Sequence, residues 1–161
     1  METQEEKFSI LMIENNKGDV VLTELAMEIA GYKVATYSVD TVDKGLDFIF
    51  KKNQYQHMPT PKLILLDLNL PCMNGRELIR TVKQDKEYYD IPIIVLTTSA
   101  SERDRRECFK LGADKFVIKS ISFDEFSEKL RKILALYLPR PSTKLGENLI
   151  IKGPNEFKKY S

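Results

Sequence analysis

The stretch LILLDLNLP, residues 63–71, reads as a buried strand that ends on a carboxylate. An unbroken run of Leu and Ile fits a strand covered on both faces. Asp67 closes that run, and an unpaired charge in such a place costs several kcal/mol to bury, by order of magnitude. A carboxylate held there belongs to a site.

Outward from this stretch, four further apolar runs have the same character: KFSILMI ending at Ile13, YKVATY at Tyr37, IPIIVLT at Thr97 and KFVIK at Lys119. Between them, apolar residues recur every four positions: Val21, Leu25 and Ile29; Leu46 and Phe50; Leu78 and Val82; Phe126, Leu130 and Leu134. That spacing predicts helices. NGRE from Asn74 and SFDE from Ser122 fit capping boxes, and Gly31 and Gly112 stand where helices should stop. Five strands alternating with five helices predict an α/β fold, a doubly wound parallel sheet with helices on both faces. In such sheets the working site lies beyond the carboxyl ends of the strands, at the switch point of the strand order.

With 161 residues and 42% hydrophobic content, the chain suits one compact domain with a real core, and a second full domain does not fit. Lys and Arg (25) balance Asp and Glu (24), so a net charge of +1 gives no global field for nucleic acid or an anionic membrane. No apolar stretch approaches the ~20 residues of a membrane span, and METQEEKFSI lacks a signal-peptide pattern, so a cytoplasmic location is expected. Cys72 and Cys108 form no metal or redox spacing and read as reduced, non-catalytic thiols. The loop NQYQHMPTP carries the only histidine, His57, read as a solvated surface residue. Residues 1–138 are assigned to the domain. The proline-punctuated tail 139–161 holds one short apolar run, LII, too little for an output domain; a free end and a docking arm both stay open.

Parallel strands would bring together Glu14 and Asn15 after the first, Asp67 from the third, Thr97 from the fourth and Lys119 from the fifth. A carboxylate that can bind Mg²⁺ or act as nucleophile, a hydroxyl donor and a neutralising lysine together describe phosphoryl transfer onto Asp67. Mg²⁺ takes one or two carboxylates, a carbonyl and waters, and Asn69 is placed to offer its backbone carbonyl.

These residues carry a resemblance. Over residues 7–138 the chain resembles the receiver domain of bacterial two-component response regulators, on LILLDLNLPCMNG, IPIIVLTTSA and GADKFVIKS. DLNLP, VLTTS and IKS are similar in style to the single-domain regulators paired with phytochrome-type sensor kinases. The resemblance implies a flavodoxin-like five-stranded sheet of order 2-1-3-4-5. It implies that Asp67 accepts a phosphoryl group from a sensor histidine kinase, that Thr97 binds its oxygens and that Lys119 pairs with them. It further implies a Mg²⁺ site of Glu14, Asn15, Asp67 and the Asn69 carbonyl, and a switch formed by Thr97 and Phe116. Asn69, Thr98 and Ser99 then tune the lifetime of the phosphoryl group. The protein is expected to be a phosphoacceptor that assists its own phosphorylation and dephosphorylation, not an enzyme in the ordinary sense. Its signal is expected to leave by protein contact, with a homodimer surface on the fourth helix, fifth strand, fifth helix and tail, and with no nucleic-acid or membrane partner.

Two departures qualify that pattern. IENN puts Asn15 where the family usually has a second acidic residue, which predicts weaker Mg²⁺ binding and slower phosphorylation. Ser120 follows Lys119 where the family often has a proline across a cis bond. Asp19, in the first turn of the first helix, is read as a carboxylate favouring the helix dipole, outside the site.

Competing readings fail on chemistry or remain as alternatives. DLNLP superficially resembles the nucleophile motif of haloacid-dehalogenase-type phosphatases, but Asn69 cannot transfer a proton as their second Asp does. A flavodoxin-like cofactor binder would want hydroxyls and glycines after the first strand, whereas ENNKGD begins with a carboxylate. The serious alternative is a pseudo-receiver that docks without phosphorylation because Asn15 has replaced an acidic Mg²⁺ ligand.

Overall fold

A computed structural model describes residues 8–69, 75–119 and 122–139. The strands are β1 (Ser9–Ile13), β2 (Ala35–Val39), β3 (Leu63–Asp67), β4 (Ile93–Thr97) and β5 (Lys115–Ile118). The helices are α1 (Lys17–Ile29), α2 (Val42–Ile49), α3 (Gly75–Gln84), α4 (Glu102–Leu111) and α5 (Phe123–Tyr137), with a short 3-10 turn at Asn53–Tyr55. All strand pairs are parallel and the sheet order is β2-β1-β3-β4-β5. The expected doubly wound, flavodoxin-like architecture is therefore the observed one.

The three central strands are buried along their whole length. Side chains alternate between the two faces, so each strand feeds two cores. On one face Leu11, Ile13, Ile64, Leu66, Ile93 and Val95 pack against α2, α3 and Cys108 of α4. On the other, Ile10, Met12, Leu63, Leu65, Ile94 and Leu96 pack against α1 and α5. Each fully buried Leu or Ile contributes about 1.5–3 kcal/mol by the area removed from water. Two such layers hold the sheet in one register and fix where each strand ends.

Helix ends follow the local chemistry. Asn16, Thr41, Ser101 and Ser122 each accept a hydrogen bond from the backbone N–H three residues on, capping α1, α2, α4 and α5. Gly112 ends α4 in the left-handed region at φ 111°, a conformation glycine adopts without a Cβ clash. Asn74, expected to cap α3, lies outside the described residues, as do Cys72 and Ser120.

One helix differs from the spacing that predicts it. Val21 and Ile29 are exposed (39% and 49%), and the buried stripe of α1 is Thr23, Ala26 and Met27. The physical reason is that Ala26 and Met27 face the core layer that α1 shares with Phe126, Leu130 and Leu134 of α5. The larger aliphatic residues are left on the outer side.

Candidate functional site

The site forms at the crevice where the strand order reverses, between β1 and β3. β1 runs directly into Glu14, β3 ends on Asp67, β4 ends on Thr97 and β5 leads into Lys119. Because the sheet packs on both faces, Asp67 and Thr97 are themselves buried (5% and 0% exposed). Their polar atoms therefore need partners.

Lys119 supplies the central one. Its Nζ lies 2.6 Å from Glu14 Oε2, 3.0 Å from Asp19 Oδ2 and 3.5 Å from Asp67 Oδ2. Around it, Asp67 Oδ1 accepts the backbone N–H of Asn69 at 2.9 Å, and Glu14 Oε1 accepts that of Asn16 at 3.1 Å. One ammonium thus faces three carboxylates, two of them nearly enclosed by protein. Burial pushes the Glu14 carboxyl above its ordinary value, Asp67 adds to the rise, and the hydrogen bond from Lys119 opposes it. For Lys119, burial pulls the other way, but Glu14, Asp19 and Asp67 outweigh it and the ammonium is held above its ordinary value.

The rise at Glu14 has a pH consequence. A group whose pKa is higher in the folded state stabilises the fold below its unfolded value, 4.5, and loses that contribution as pH rises through the folded value. Glu14→Gln removes this dependence. The melting temperature of the metal-free variant, relative to the parent, is therefore expected to rise between pH 4.5 and 7. Thermal scans across that range check it, and a relative melting temperature that falls with pH contradicts it.

Thr97 accepts the backbone N–H of Ser99 at 3.1 Å, and its hydroxyl lies 3.5 Å from Asn69 Oδ1. Asn69 Nδ2 in turn donates to Thr98 Oγ1 at 2.7 Å, a bridge between the segments that follow β3 and β4. Ser99 Oγ donates to Asp104 Oδ2 at 2.9 Å, and Asp104 pairs with Arg76 of α3. This chain ties the neighbourhood of Thr97 to α3 and α4. Phe116 is half-buried, in register with Val95 and packed on the same core face. Thr97 shares that face, two positions beyond Val95.

Of the residues singled out in the sequence, Glu14, Asp67 and Lys119 meet directly, and Asn69, Thr97, Thr98 and Ser99 form a contiguous polar rim beside them. Asn15 is exposed next to Glu14. Asp19 corrects the reading that put it outside the site: it does sit in the first turn of α1, but its side chain bonds Lys119. The reason is geometric. The start of α1 lies over the carboxyl ends of the strands, within reach of a long lysine side chain. Asp104 and Arg76 were not singled out, since nothing in their local sequence marks a link to Ser99. His57 is exposed, as expected. Cys108 is buried, which pushes its thiol pKa up and keeps it in the weakly reactive protonated form.

Comparison with known proteins agrees with this fold. The family model for the response regulator receiver domain matches residues 10–131. The chain belongs to that family, a class of response-regulator domain built on this sheet. Among curated proteins it is 31% identical over 132 residues to response regulator Rcp1 of Synechocystis sp., covering 80% of this chain and 88% of the relative. Among solved structures it resembles the phosphorylated cyanobacterial phytochrome response regulator RcpA, at 28% identity and a TM-score of 0.75, covering 81% of this chain and 94% of that one. The Mn²⁺-bound form of Rcp1 matches at 29% identity with the same TM-score and coverage. No helix among the described residues is long and apolar enough to cross a membrane.

Proposed function

We propose that this chain is a response regulator receiver that takes a phosphoryl group from a sensor histidine kinase onto Asp67 and passes the signal on by protein contact. The observation that carries the reading is the meeting of Asp67 with Lys119 at 3.5 Å, at the end of a fully buried strand. In the transfer, an Asp67 oxygen attacks phosphorus while the bond from phosphorus to the donor histidine nitrogen breaks. The electron pair stays on that nitrogen, which takes up a proton. Thr97 donates its hydroxyl to a phosphoryl oxygen, and Lys119 neutralises the charge that moves onto Asp67. Asn69, Thr98 and Ser99 surround the acyl phosphate and govern the approach of water to it.

The donor set suits Mg²⁺. Glu14 and Asp67 are adjacent carboxylates; burial, with Asp67 beside it, holds Glu14 above its ordinary value, and Lys119 only partly offsets this. Among the described residues no group of three or more His, Cys, Asp or Glu side chains could hold a metal. Mg²⁺ does not require one, because it retains several waters beside one or two carboxylates. Glu14 and Asp67 would hold the ion, with the Asn15 amide and the Asn69 carbonyl as neutral oxygens, and the bound ion would neutralise the phosphoryl oxygens. Asn15 and the competing Lys119 ammonium both make this binding weak.

Filling the oxygen site draws Thr97 inward, and Phe116, on the same core face, follows. The readout surface is then α4, β5 and α5, where Phe109, Ile118 and Leu136 are exposed apolar side chains. A sensor kinase, of the phytochrome type by likeness to RcpA, and a second copy of the chain are the partners this reading assigns. Residues 1–138 act as the receiver and 139–161 as an accessory tail, in the cytoplasm.

Intact mass after incubation with acetyl phosphate and Mg²⁺ tests the reading. The parent is expected to gain one phosphoryl group and Asp67→Asn none, an effect of about 10³-fold or more on rate because an amide is no nucleophile. Asn15, which removes a metal carboxylate, favours a second reading, a docking module that works without phosphorylation. No mass gain at any Mg²⁺ concentration would contradict the first reading and favour the second.

A further inference from the structure

The contact between Asp19 and Lys119 has no place in the reaction as written above. Lys119 has three N–H donors and no acceptor. Two of them lie at hydrogen-bond distance from carboxylates, Glu14 at 2.6 Å and Asp19 at 3.0 Å, while Asp67 stands off at 3.5 Å. The ammonium is therefore pulled toward the α1 side of the crevice. Asp19 is itself fixed: its backbone N–H donates to the Asn16 side chain, and the first turn of α1 cannot slide without breaking that cap. Its side chain is more open to solvent (38%) than those of Glu14 (9%) and Asp67 (5%).

We propose that Asp19 is a positioning residue for phosphoryl transfer, which anchors the Lys119 ammonium away from Asp67 so that the Asp67 carboxylate stays free to attack. This rests on the reading of Asp67 as phosphoacceptor. Without Asp19, one donor of Lys119 is released, and the next carboxylate oxygen within its reach among the described residues is Asp67 Oδ2 at 3.5 Å. Shortening the present 3.5 Å contact to a full hydrogen-bonded pair would tie up the attacking oxygen and withdraw the lysine from the place where the phosphoryl oxygens arrive. Asp19 touches neither phosphorus nor the attacking atom, so its effect passes through Lys119 alone. The Asn15 position gives this anchor added importance, because the pocket lacks a second acidic residue there that could share the ammonium with Glu14.

The test compares the full chain with Asp19→Asn and Asp19→Glu, using acetyl phosphate at saturating Mg²⁺ and reading the ¹⁵Nζ resonance of Lys119 in the metal-free protein. Asp19→Asn is expected to lower the maximal rate about three- to tenfold, a loss that excess Mg²⁺ does not restore, and to shift the Lys119 resonance. Asp19→Glu, which can still reach the ammonium, should recover at least half of the lost rate. An unchanged rate, a faster one, or a loss erased by more Mg²⁺ would overturn the proposal. So would a Lys119 resonance that does not move in Asp19→Asn. The resonance is read without phosphorylation, so a parent protein that takes up no phosphoryl group would sink the phosphoacceptor reading. The Asp19 anchor would still be judged by the resonance.

Discussion

Lys119→Met is expected to lower the unfolding free energy of the metal-free protein by about 3 kcal/mol at neutral pH and to slow phosphoryl uptake about a hundredfold. The stability loss follows from what stays behind. Glu14 and Asp67 are nearly enclosed and adjacent, and the ammonium is the cation that faces both. Removing one partner of a buried pair leaves an uncompensated charge, which costs more than the pair itself contributes. Methionine keeps the apolar stem and so isolates the charge. Urea unfolding at neutral pH reads the loss, and Mg²⁺ should restore a larger share of stability to the variant than to the parent. The kinetic loss has a different origin: the positive charge that meets the phosphoryl oxygens is gone. A variant as stable as the parent would show that Glu14 and Asp67 are held by something other than Lys119.

Asn15→Asp is expected to tighten Mg²⁺ about tenfold or more and to speed phosphoryl uptake at low Mg²⁺. A neutral amide offers a hard cation only a dipole, whereas a carboxylate offers a full charge at the same place. Asn15 is exposed, so the new charge is cheap to solvate without metal and gains its partner on binding. Calorimetric titration checks the affinity directly. No change in affinity would mean that position 15 does not contribute to the metal set.

Asp67, Thr97 and Lys119 were legible from the sequence because each closes or directly follows a buried strand, and parallel strands must bring those ends together. The helix caps at Ser122 and the stop at Gly112 were legible for a similar reason, since local chemistry alone decides them. Asp19 was not. Its partner lies 100 residues away, and only the tertiary position of α1 over the strand ends brings the two into contact. Its place in a first helical turn already had a sufficient local explanation in the helix dipole. The buried face of α1 was ambiguous too. Val21, Leu25 and Ile29 repeat every four residues, yet Thr23, Ala26 and Met27 form a second stripe, and that second stripe is the one buried beside α5. The link from Ser99 through Asp104 to Arg76 joins a loop to two helices and leaves no periodic trace in either helix.

Asp67 is proposed to carry the phosphoryl group in a pocket with Asn15 in place of a second acid. Treating the acetyl-phosphate-reacted protein with borohydride and sequencing its peptides by mass spectrometry tests this most directly, because reduction of an aspartyl phosphate leaves homoserine. Homoserine at position 67, formed only when Mg²⁺ is present, is the predicted result. Its absence, or modification confined to another residue, would contradict phosphoryl transfer onto Asp67.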